Sequence, residues 1–342
     1  MDIGIVSLAD LQADPGTGRL VDSGRRLAEI VGYARLADTL GLDVFGLGEH
    51  HSAEFAVSSP AVVLAAAAAA TSSIRLTSAV TVLSVLDPVR VYEDFATLDL
   101  FSGGRAELIA GRSAFIEPFG LFGVDLDDYA AVFEEKLDLL LRLKDEPRLT
   151  WSGRFRPPIP GVDVMPRAVR LPVWVGVGGS PGSAARAGRL GLPMVLGLIG
   201  GSIAGARRVV AEYREAGERA GHADRLSVGI STHFHAGATA AAAREVYPHY
   251  HEYLRPKRPG GRGFLVDQDQ FLAGAAPGNA LLIGSSDEII TKIMTAYDLL
   301  GIDRLFGQVD WGGLPRGLVE ESISRLADEI APVIRSATAR AS

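Results

Sequence analysis

The feature that most constrains the fold of this chain is a repeated alternation of short apolar runs with longer segments of helical periodicity. Strands that alternate with helices pack as βα units around a parallel sheet. Eight such units close into a barrel, typically of about 250 residues, and a doubly wound open sheet is the alternative. We predict an α/β fold, a single (β/α)8 TIM barrel over residues 1–342. The predicted strands are 3–8, 44–47, 74–82, 106–110, 173–177, 194–198, 226–235 and 304–308.

Two segments depart from this alternation and are predicted to be insertions in the barrel. Residues 145–171 follow the fourth strand and its helix and are rich in proline. Residues 255–280 follow the seventh strand and its helix and are rich in glycine and proline. Long connections of this kind in a compact domain are often functional. We therefore expect the second insertion to act as a lid.

Composition excludes several classes of protein. The chain has 47% hydrophobic and 22% charged residues, which permits a large buried core. Its net charge is −7, and no basic cluster is interleaved with aromatic residues, so a nucleic-acid partner is not expected. It contains no cysteine, which excludes disulfides and thiolate chemistry. Neither a signal peptide nor a membrane span is recognisable, and a cytoplasmic location is predicted.

Three ionisable side chains, Glu49, His50 and His51, follow the second predicted strand directly. A polar segment comes next and ends at Pro60, where a helix is expected to begin. Parallel α/β folds carry their chemistry at the ends of strands that lead into helices. These three residues are therefore candidates for an active site, and surface histidines in a loop are the alternative.

A glycine-rich loop after the fifth strand is a candidate phosphate site. Gly178, Gly179, Ser180 and Ser183 lie between that strand and the next helix. Glycines allow an anion to approach the backbone, and the first N–H groups of the helix point toward it. Arg112, directly after the neighbouring fourth strand, can supply the positive charge. The sixth strand has no acidic residue for a ribose, so a phosphate monoester fits better than a dinucleotide.

A metal site is a weaker interpretation. His233 and His235 lie two residues apart on the seventh strand and share one face, which is a spacing found in metal ligands. Together with the Glu-His-His sequence they could bind a divalent ion. A hydrolytic barrel usually carries further acidic ligands at its strand ends, however, and the ends of strands three to six offer none, so we predict no metal. No Gly-x-Ser-x-Gly sequence indicates a serine nucleophile either.

Beginning at GEHHSAEF, the sequence resembles the bacterial luciferase-like flavin monooxygenase family. The resemblance continues through TSAVTVLSVLDPVRVYEDFATLDLFSGGRAELIAGRS, FGVDLDD, PVWVGVGGSPGSAARAGRLGLPM and FGQVDWGGLP. It covers nearly the whole chain, and the combination of these stretches is specific. It implies a TIM barrel that binds reduced FMN at the carboxyl ends of its strands.

The resemblance also implies roles for individual residues. His50 matches the active-site histidine, and we take Glu49 beside it as a second catalytic residue. Arg112, Ser180 and Ser183 match the residues at the FMN phosphate, whereas Gly179 departs from the Glu of luciferase. Ala79 and Val80 match the pair that lies against the flavin ring and is joined by a cis peptide bond.

The flavin ring and the substrate require further residues. A slot lined by small groups would suit the ring, and Ala79, Gly111 and Gly178 are predicted to supply it. An apolar pocket is predicted beside it, with walls inferred from strand-end positions. These wall residues are Phe45, Phe115, His233, Gln308 and Trp311.

The function implied is a flavin-dependent monooxygenase. Reduced FMN from a separate reductase would react with O2 to give a C4a-(hydro)peroxyflavin, which would oxygenate a small organic substrate, for example in a Baeyer–Villiger or aldehyde oxidation. The alternatives are a deazaflavin-dependent hydride-transfer oxidoreductase and a non-catalytic flavin-binding protein. A homodimer is expected from the family and from the alanine-rich helix near 60–72.

Overall fold

Eight parallel strands, with helices between them, form a closed barrel in the computed structural model. The structure describes residues 1–113, 115–256 and 263–339. The strands are β1 (Asp2–Ser7), β2 (Val44–Leu47), β3 (Arg75–Ser78), β4 (Thr81–Val82), β5 (Ala106–Gly111), β6 (Arg148–Trp151), β7 (Ile159–Asp163), β8 (Val173–Val177), β9 (Met194–Gly197), β10 (Val228–Ala236), β11 (Leu282–Gly284) and β12 (Arg304–Gln308). The helices are α1 (Ser23–Thr39), α2 (Pro60–Ala70), α3 (Pro88–Ser102), α4 (Glu117–Phe122), α5 (Tyr129–Asp145), α6 (Pro181–Arg189), α7 (Arg207–Arg219), α8 (Ala240–Arg244), α9 (Tyr247–Leu254), α10 (Gln268–Ala275), α11 (Ser286–Leu300), α12 (Arg316–Arg325) and α13 (Ala331–Ala337).

The barrel is closed by strand pairing in the order β1, β2, β3, β5, β8, β9, β10, β12 and back to β1. Every one of these pairs is parallel. All eight carboxyl ends therefore meet at one end of the barrel, which we call the mouth. The predicted TIM barrel is confirmed.

Strand residues alternate between two apolar environments. Residues directed away from the barrel axis pack against the helices, as Ile3, Ile5 and Phe45 do with Ile30 and Tyr33 of α1. Residues directed toward the axis form a second, smaller core. Its buried members are Val6, Val44, Ile109, Trp174, Val195 and Phe306.

The predicted third strand is interrupted in the structure. Residues 74–82 form β3 and β4, with Ala79 and Val80 between them. The peptide bond that joins Ala79 to Val80 is cis, as the resemblance led us to expect. Both short strands pair with β5, so the interruption leaves the barrel closed.

The two predicted insertions contain regular structure. An antiparallel hairpin of β6 and β7 lies within 145–171, and Leu149 and Trp151 of β6 are buried in the main core. The segment predicted to be a lid contains α10, which begins with a capping box of Asp267 and Gln270 and buries Phe271. Residues 257–262 of that segment lie outside the described part of the chain.

Two predicted helices are divided, and in each a proline follows the break. The helix predicted near 238–253 becomes α8 and α9, because Pro248 in the first turn of α9 has no N–H group with which to continue α8. The closing helix becomes α12, a π-helical turn at Leu326–Ile330, and α13, which carries Pro332 in its first turn. No helix among the described residues is long and apolar enough to cross a membrane.

The amino end of the barrel is closed by a cluster of charged side chains. Arg304 Nη2 lies 3.2 Å from Glu107 and 3.0 Å from Asp2, and Arg75 Nη2 lies 2.7 Å from Asp2. The guanidinium of Arg304 also lies 4.3 Å from the centre of the Trp174 ring. Two cations and two carboxylates thus neutralise each other at this end.

Candidate active site at the carboxyl ends of the strands

Val80 forms part of the floor of the barrel mouth. A side chain at Gly111 would lie 2.3 Å from Val80 Cγ2, and one at Gly176 would lie 2.7 Å from Val80 Cγ1. Both glycines therefore make room for Val80, which packs with Ala79 on the inner core. Val80 fills the space that a side chain at Gly111 would occupy, and the prediction that Gly111 lines a flavin slot stays a prediction.

Beyond Val80, the mouth has open space at Gly178 and Gly197. A side chain at Gly178 would meet no atom within 4 Å, and one at Gly197 would come no closer than 3.8 Å to Val177 O. Gly178 follows β8 directly and Gly197 ends β9, so both lie at the mouth. A flat ring could lie on the Val80 side chain and extend into the space beside Gly178 and Gly197.

Arg112 and the start of α6 form a cationic corner of the mouth. Arg112 Nη2 donates a hydrogen bond to Ser183 Oγ at 2.6 Å, and its guanidinium lies 4.7 Å from the centre of the Tyr129 ring. Within the described part of the chain Arg112 forms no ion pair, so its charge is not neutralised by a carboxylate. Ser180 is the exposed N-cap of α6. Gly179 before it has φ +94°, a conformation that favours glycine.

This corner has the components of a phosphate site. The first N–H groups of a helix have no partner within the helix and bear partial positive charge. An arginine and two serine hydroxyls beside them add charge-assisted donors. Arg112 is thus brought to the same corner of the mouth as Ser180 and Ser183, although it lies 71 residues before Ser183 in the sequence.

His50 lies among aromatic rings at the mouth. Its ring is stacked on Phe55 at 3.9 Å between centroids, and Phe115 meets it edge-on at 5.1 Å. Burial lowers the pKa of His50 to about 4, and the nearby His51 acts in the same direction. His50 is therefore neutral at neutral pH, with one ring nitrogen available to donate and the other to accept.

Glu49 is used internally by the protein. One carboxylate oxygen lies 2.8 Å from His51 Nε2, and the other accepts the N–H of Val82 at 3.0 Å. Its side chain is fully buried. Glu49 thus joins the end of β2 to the residues that follow the cis peptide bond, and both of its oxygens face protein groups.

Three of the predicted pocket residues form a cluster over β10 and β12. His233 lies opposite Gln308 in the strand register. Trp311 donates its indole N–H to Gln308 O at 3.0 Å, and its ring centre lies 6.4 Å from that of His233. All three are almost completely buried. They therefore lie beneath the surface of the mouth and contribute little exposed area to it.

The prediction that Phe45 is a pocket wall is wrong. Phe45 is fully buried in the core between the barrel and the helices. Its neighbours Val44 and Gly46 face the barrel axis, where Gly46 approaches Val6 and Ala79. Because strand residues alternate in direction, Phe45 must point the other way.

The structure does not support a metal site in the part it describes. Among these residues, no group of three or more His, Asp or Glu side chains is arranged to hold a metal ion. His233 Nδ1 lies 3.1 Å from Tyr250 Oη, whereas His235 Nδ1 is buried without a partner. Burial lowers the pKa of both histidines to about 4.

A cavity of about 270 Å³ lies between the loop after β1 and the loop after β12. Charged side chains line it, and among the described residues Asp310 Oδ1 is buried without a hydrogen-bond partner. Arg26 Nη2 lies 2.7 Å from Asp310 and 3.3 Å from Asp10. The cavity is separate from the residues around His50 and Arg112, none of which lines it.

Comparison with known proteins identifies the family. Residues 1–304 match the family described as luciferase-like monooxygenase. The chain belongs to the luciferase-like monooxygenase family. Family membership and monooxygenase relatives support an oxidoreductase.

An uncharacterized protein of Sinorhizobium fredii, y4vJ, is 27% identical and aligns over 90% of this chain and 91% of its own. The alkanal monooxygenase alpha chain of the Kryptophanaron alfredi symbiont is 28% identical, over 52% of this chain and 51% of its own.

Solved structures of this luciferase-like barrel agree with the fold. Monooxygenase RslO1 from Streptomyces bottropensis has a TM-score of 0.79 at 22% identity, over 97% of this chain and 99% of its own. The oxygenating constituent of 3,6-diketocamphane monooxygenase from Pseudomonas putida, solved with FMN, has a TM-score of 0.78 at 20% identity (98% and 99%). The coenzyme F420-dependent tetrahydromethanopterin reductase of Methanopyrus kandleri has a TM-score of 0.75 at 18% identity (98% and 100%).

Reasoning from the sequence missed three aromatic residues of this site. Phe55 stacks on His50, Tyr129 lies under Arg112, and Tyr253 accepts a hydrogen bond from Gln308 Nε2 at 2.9 Å. Phe55 lies within the same short stretch as His50 and could have been included. Tyr129 and Tyr253 lie on helices α5 and α9. No pattern in the sequence indicates that their side chains contact residues at the ends of the strands.

Proposed function

We propose that this protein is a flavin-dependent monooxygenase that binds reduced FMN and O2 and oxygenates a small organic substrate. The observation that carries the proposal is the guanidinium of Arg112, which has no ion-pair partner in the described part of the chain. It is held by Ser183 at the start of α6, beside the open space at Gly178. Such a cation is suited to a phosphate group at the edge of a ring-sized slot.

FMN fits the residues present. Arg112, Ser180, Ser183 and the first N–H groups of α6 would hold its phosphate, and the ring would lie on Val80 beside Gly178. When bound in its reduced form, FMN supplies the two electrons that activate O2. The protein's own part is to hold the ring, exclude water and provide His50 as a neutral donor and acceptor.

His50 is the proposed catalytic residue, and Glu49 is a positioning residue. A neutral imidazole has one acceptor nitrogen and one N–H group. It can therefore take a proton from the substrate or give one to a departing oxygen. Glu49 acts through His51 and Val82, whose positions it fixes.

Reduced FMN is proposed to come from a separate reductase, since no dinucleotide-binding sequence is evident in the chain. The enzyme is proposed to form a homodimer. Val62 on α2 and Phe101 on α3 are 69% and 63% exposed, which favours burial of these helices against a second copy. Light scattering of the purified protein measures the mass, and a monomer at micromolar concentration would contradict the dimer.

Hydride transfer with a deazaflavin is the second candidate, because a coenzyme F420-dependent reductase shares the fold. That cofactor has a longer acidic tail that requires additional cations near the phosphate corner. Arg186 of α6 is paired with Glu134 at 2.5 Å and is therefore not free for this purpose. This observation favours FMN.

The proposal is tested by titrating the protein with reduced FMN, reduced riboflavin and coenzyme F420, with and without the substitution Arg112→Ala. Riboflavin has the same ring as FMN but no phosphate. We expect Arg112→Ala to weaken FMN by about 10- to 100-fold, the effect of lost hydrogen bonds to a charged group, and to leave riboflavin unchanged. Equal losses for both flavins would contradict a phosphate site, and preferential binding of F420 would favour hydride transfer.

A non-catalytic flavin-binding protein is distinguished by His50→Gln. An enzyme should keep its affinity for reduced FMN and lose product formation, because the ring slot remains and the proton carrier is removed. A binding protein should show no change that an oxygenation assay can detect.

A further inference from the structure

We propose that Tyr129, the first residue of α5, is a positioning residue that serves both parts of the mouth. Its ring holds Arg112 at the phosphate corner. Its hydroxyl acts through Ser113 to hold Phe115 against His50. This inference rests on the proposed flavin function and concerns how the two parts of that site are kept in place.

The ring of Tyr129 lies against the guanidinium of Arg112. The ring centre is 4.7 Å from Arg112 Cζ, which is within the range of a cation–π contact. The ring is half-buried and packs against Phe119 of α4, at 5.4 Å between centroids. Arg112 Nη2 meanwhile donates to Ser183 Oγ. The ring thus restricts a flexible cation without neutralising it, and this reduces the entropy that an incoming anion must offset.

The hydroxyl of Tyr129 reaches the loop that follows β5. It donates a hydrogen bond to Ser113 O at 3.1 Å. Ser113 has φ +77°, in the left-handed region that residues other than glycine rarely adopt. Its Oγ accepts the N–H of Phe115 at 3.0 Å. Two hydrogen bonds, one at the carbonyl and one at the hydroxyl of Ser113, therefore hold an unfavourable backbone conformation in place.

Phe115 is the last member of this series of contacts. It lies outside the helices and strands, so its position depends on the turn at Ser113. Its ring meets His50 edge-on at 5.1 Å and Phe55 at 5.9 Å, and Phe55 stacks on the other ring. These rings bury His50 and keep the imidazole neutral, since burial disfavours its charged form.

The ring and the hydroxyl of Tyr129 have different partners and can be removed separately. Tyr129→Phe keeps the ring and loses the bond to Ser113 O. Tyr129→Leu and Tyr129→Met both lose the aromatic face and the hydroxyl, and two such variants guard against one that fails to fold. Ser113→Ala removes the acceptor for the N–H of Phe115. The control is Tyr247→Phe on α9, whose lost hydroxyl bonds to Val266 O.

Flavin binding tests the ring. The affinities for oxidised FMN and riboflavin are measured by fluorescence quenching, and their ratio reports the contribution of the phosphate. We expect Tyr129→Leu and Tyr129→Met to reduce the preference for FMN by about 3- to 10-fold, the effect of one cation–π contact. Tyr129→Phe should keep the preference of the wild type. An equal loss in the Phe and Leu variants, or no loss in Leu and Met, would overturn this part.

The pKa of His50 tests the hydroxyl, in protein without added flavin. It is followed by NMR of histidine labelled with 13C, and His50→Gln identifies the signal. In Tyr129→Phe and Ser113→Ala, looser packing of Phe115 admits water. The pKa of His50 should then rise from about 4 toward 6.5, by about one unit.

The wild type and Tyr247→Phe should keep the low pKa of His50. His51 also lowers this pKa, but none of these substitutions replaces it. An unchanged pKa in Tyr129→Phe, or the same rise in Tyr247→Phe, would overturn the role of the hydroxyl. A tyrosine that only stabilised α5 would leave both the FMN preference and the pKa of His50 unchanged in folded variants.

The two measurements separate this inference from the proposed function. If the wild type prefers FMN in a manner that depends on Arg112, and the Tyr129 variants behave like the wild type, only the assignment of Tyr129 fails. If the wild type binds neither flavin, the proposed function fails and the role of the ring fails with it. The pKa of His50 in Tyr129→Phe still decides the role of the hydroxyl.

Discussion

The two ends of this barrel are built from the same eight strands but treat charge in opposite ways. At the amino end, Arg75 and Arg304 are surrounded by Asp2 and Glu107 and by the Trp174 ring. At the mouth, the contacts of Arg112 within the described residues are with a serine hydroxyl and an aromatic ring. The charges at the amino end neutralise each other, whereas at the mouth the described part of the chain offers Arg112 no counter-charge.

This difference separates stability from binding. Buried charges are tolerated when each has a partner, and the amino end satisfies that condition. An unpaired cation beside open space contributes little to folding, but it can bind an anionic group that the protein lacks. The comparison therefore predicts that substitutions at the amino end reduce stability, whereas those at the mouth reduce ligand binding.

The largest expected effect is that of Glu107→Ala at the amino end. Arg304 is only 3% exposed and would lose its closest carboxylate. Removal of one partner of a buried pair typically costs about 3–5 kcal/mol of unfolding free energy, which urea denaturation measures. Arg112→Ala is the control at the mouth, with an expected loss of about 1 kcal/mol or less. Equal losses in the two variants would remove the distinction between the ends.

A pair of glycine substitutions sharpens the comparison within the mouth itself. Gly111→Ala places a methyl group 2.3 Å from Val80 Cγ2, and the overpacking should cost up to about 3 kcal/mol in thermal or urea unfolding. Gly178→Ala meets no atom within 4 Å, and its unfolding free energy should stay within about 0.5 kcal/mol of wild type. Its affinity for FMN should fall, because the methyl group enters the slot. A stable Gly111→Ala protein would contradict the packing of Val80.

The smallest expected effect is a pH dependence that arises at the mouth. The folded-state pKa of His50 is about 4, below the ordinary value of 6.5, so the unfolded state binds more protons between these two values. Unfolding free energy should therefore fall as pH decreases through 6.5 toward 4, by about 2 kcal/mol between pH 7 and pH 5 for one such histidine.

The control for this pH dependence is His50→Gln, which should reduce the loss between pH 7 and pH 5 by about the contribution of one histidine. His233 and His235, whose pKa values are also lowered to about 4, account for part of what remains. Asp2 at the amino end should not contribute in this range. The pKa of Asp2 is lowered below its ordinary 3.8, so its stabilisation is lost only in more acidic solution. Identical pH profiles for wild type and variant would contradict a buried neutral His50.

Prediction from the sequence was most successful where the information is local. Alternation of apolar runs with helical segments was sufficient for the barrel, because each strand and helix is specified by its own periodicity. The strand ends then placed Glu49, His50, Arg112 and Ser183 at one end of the molecule, since parallel strands share a direction. The cis bond at Ala79 came from the resemblance to a family and not from periodicity.

Prediction from the sequence was limited where a residue's role depends on what faces it. Val44–Leu47 is apolar throughout, so the sequence could not indicate that Phe45 faces the helices and Val44 the barrel axis. Gly111 and Gly178 are the same residue type at the carboxyl ends of neighbouring strands. Only the position of Val80 shows that one is filled and the other open.

Tyr253 illustrates the same limit at longer range. It lies on a helix between the seventh and eighth barrel strands, and its hydroxyl meets Gln308, 55 residues away. Secondary structure follows from short-range patterns that can be read along the chain. The identity of the groups at the mouth follows from how the loops and helices after eight strands pack over one another, and that packing depends on the whole closed barrel.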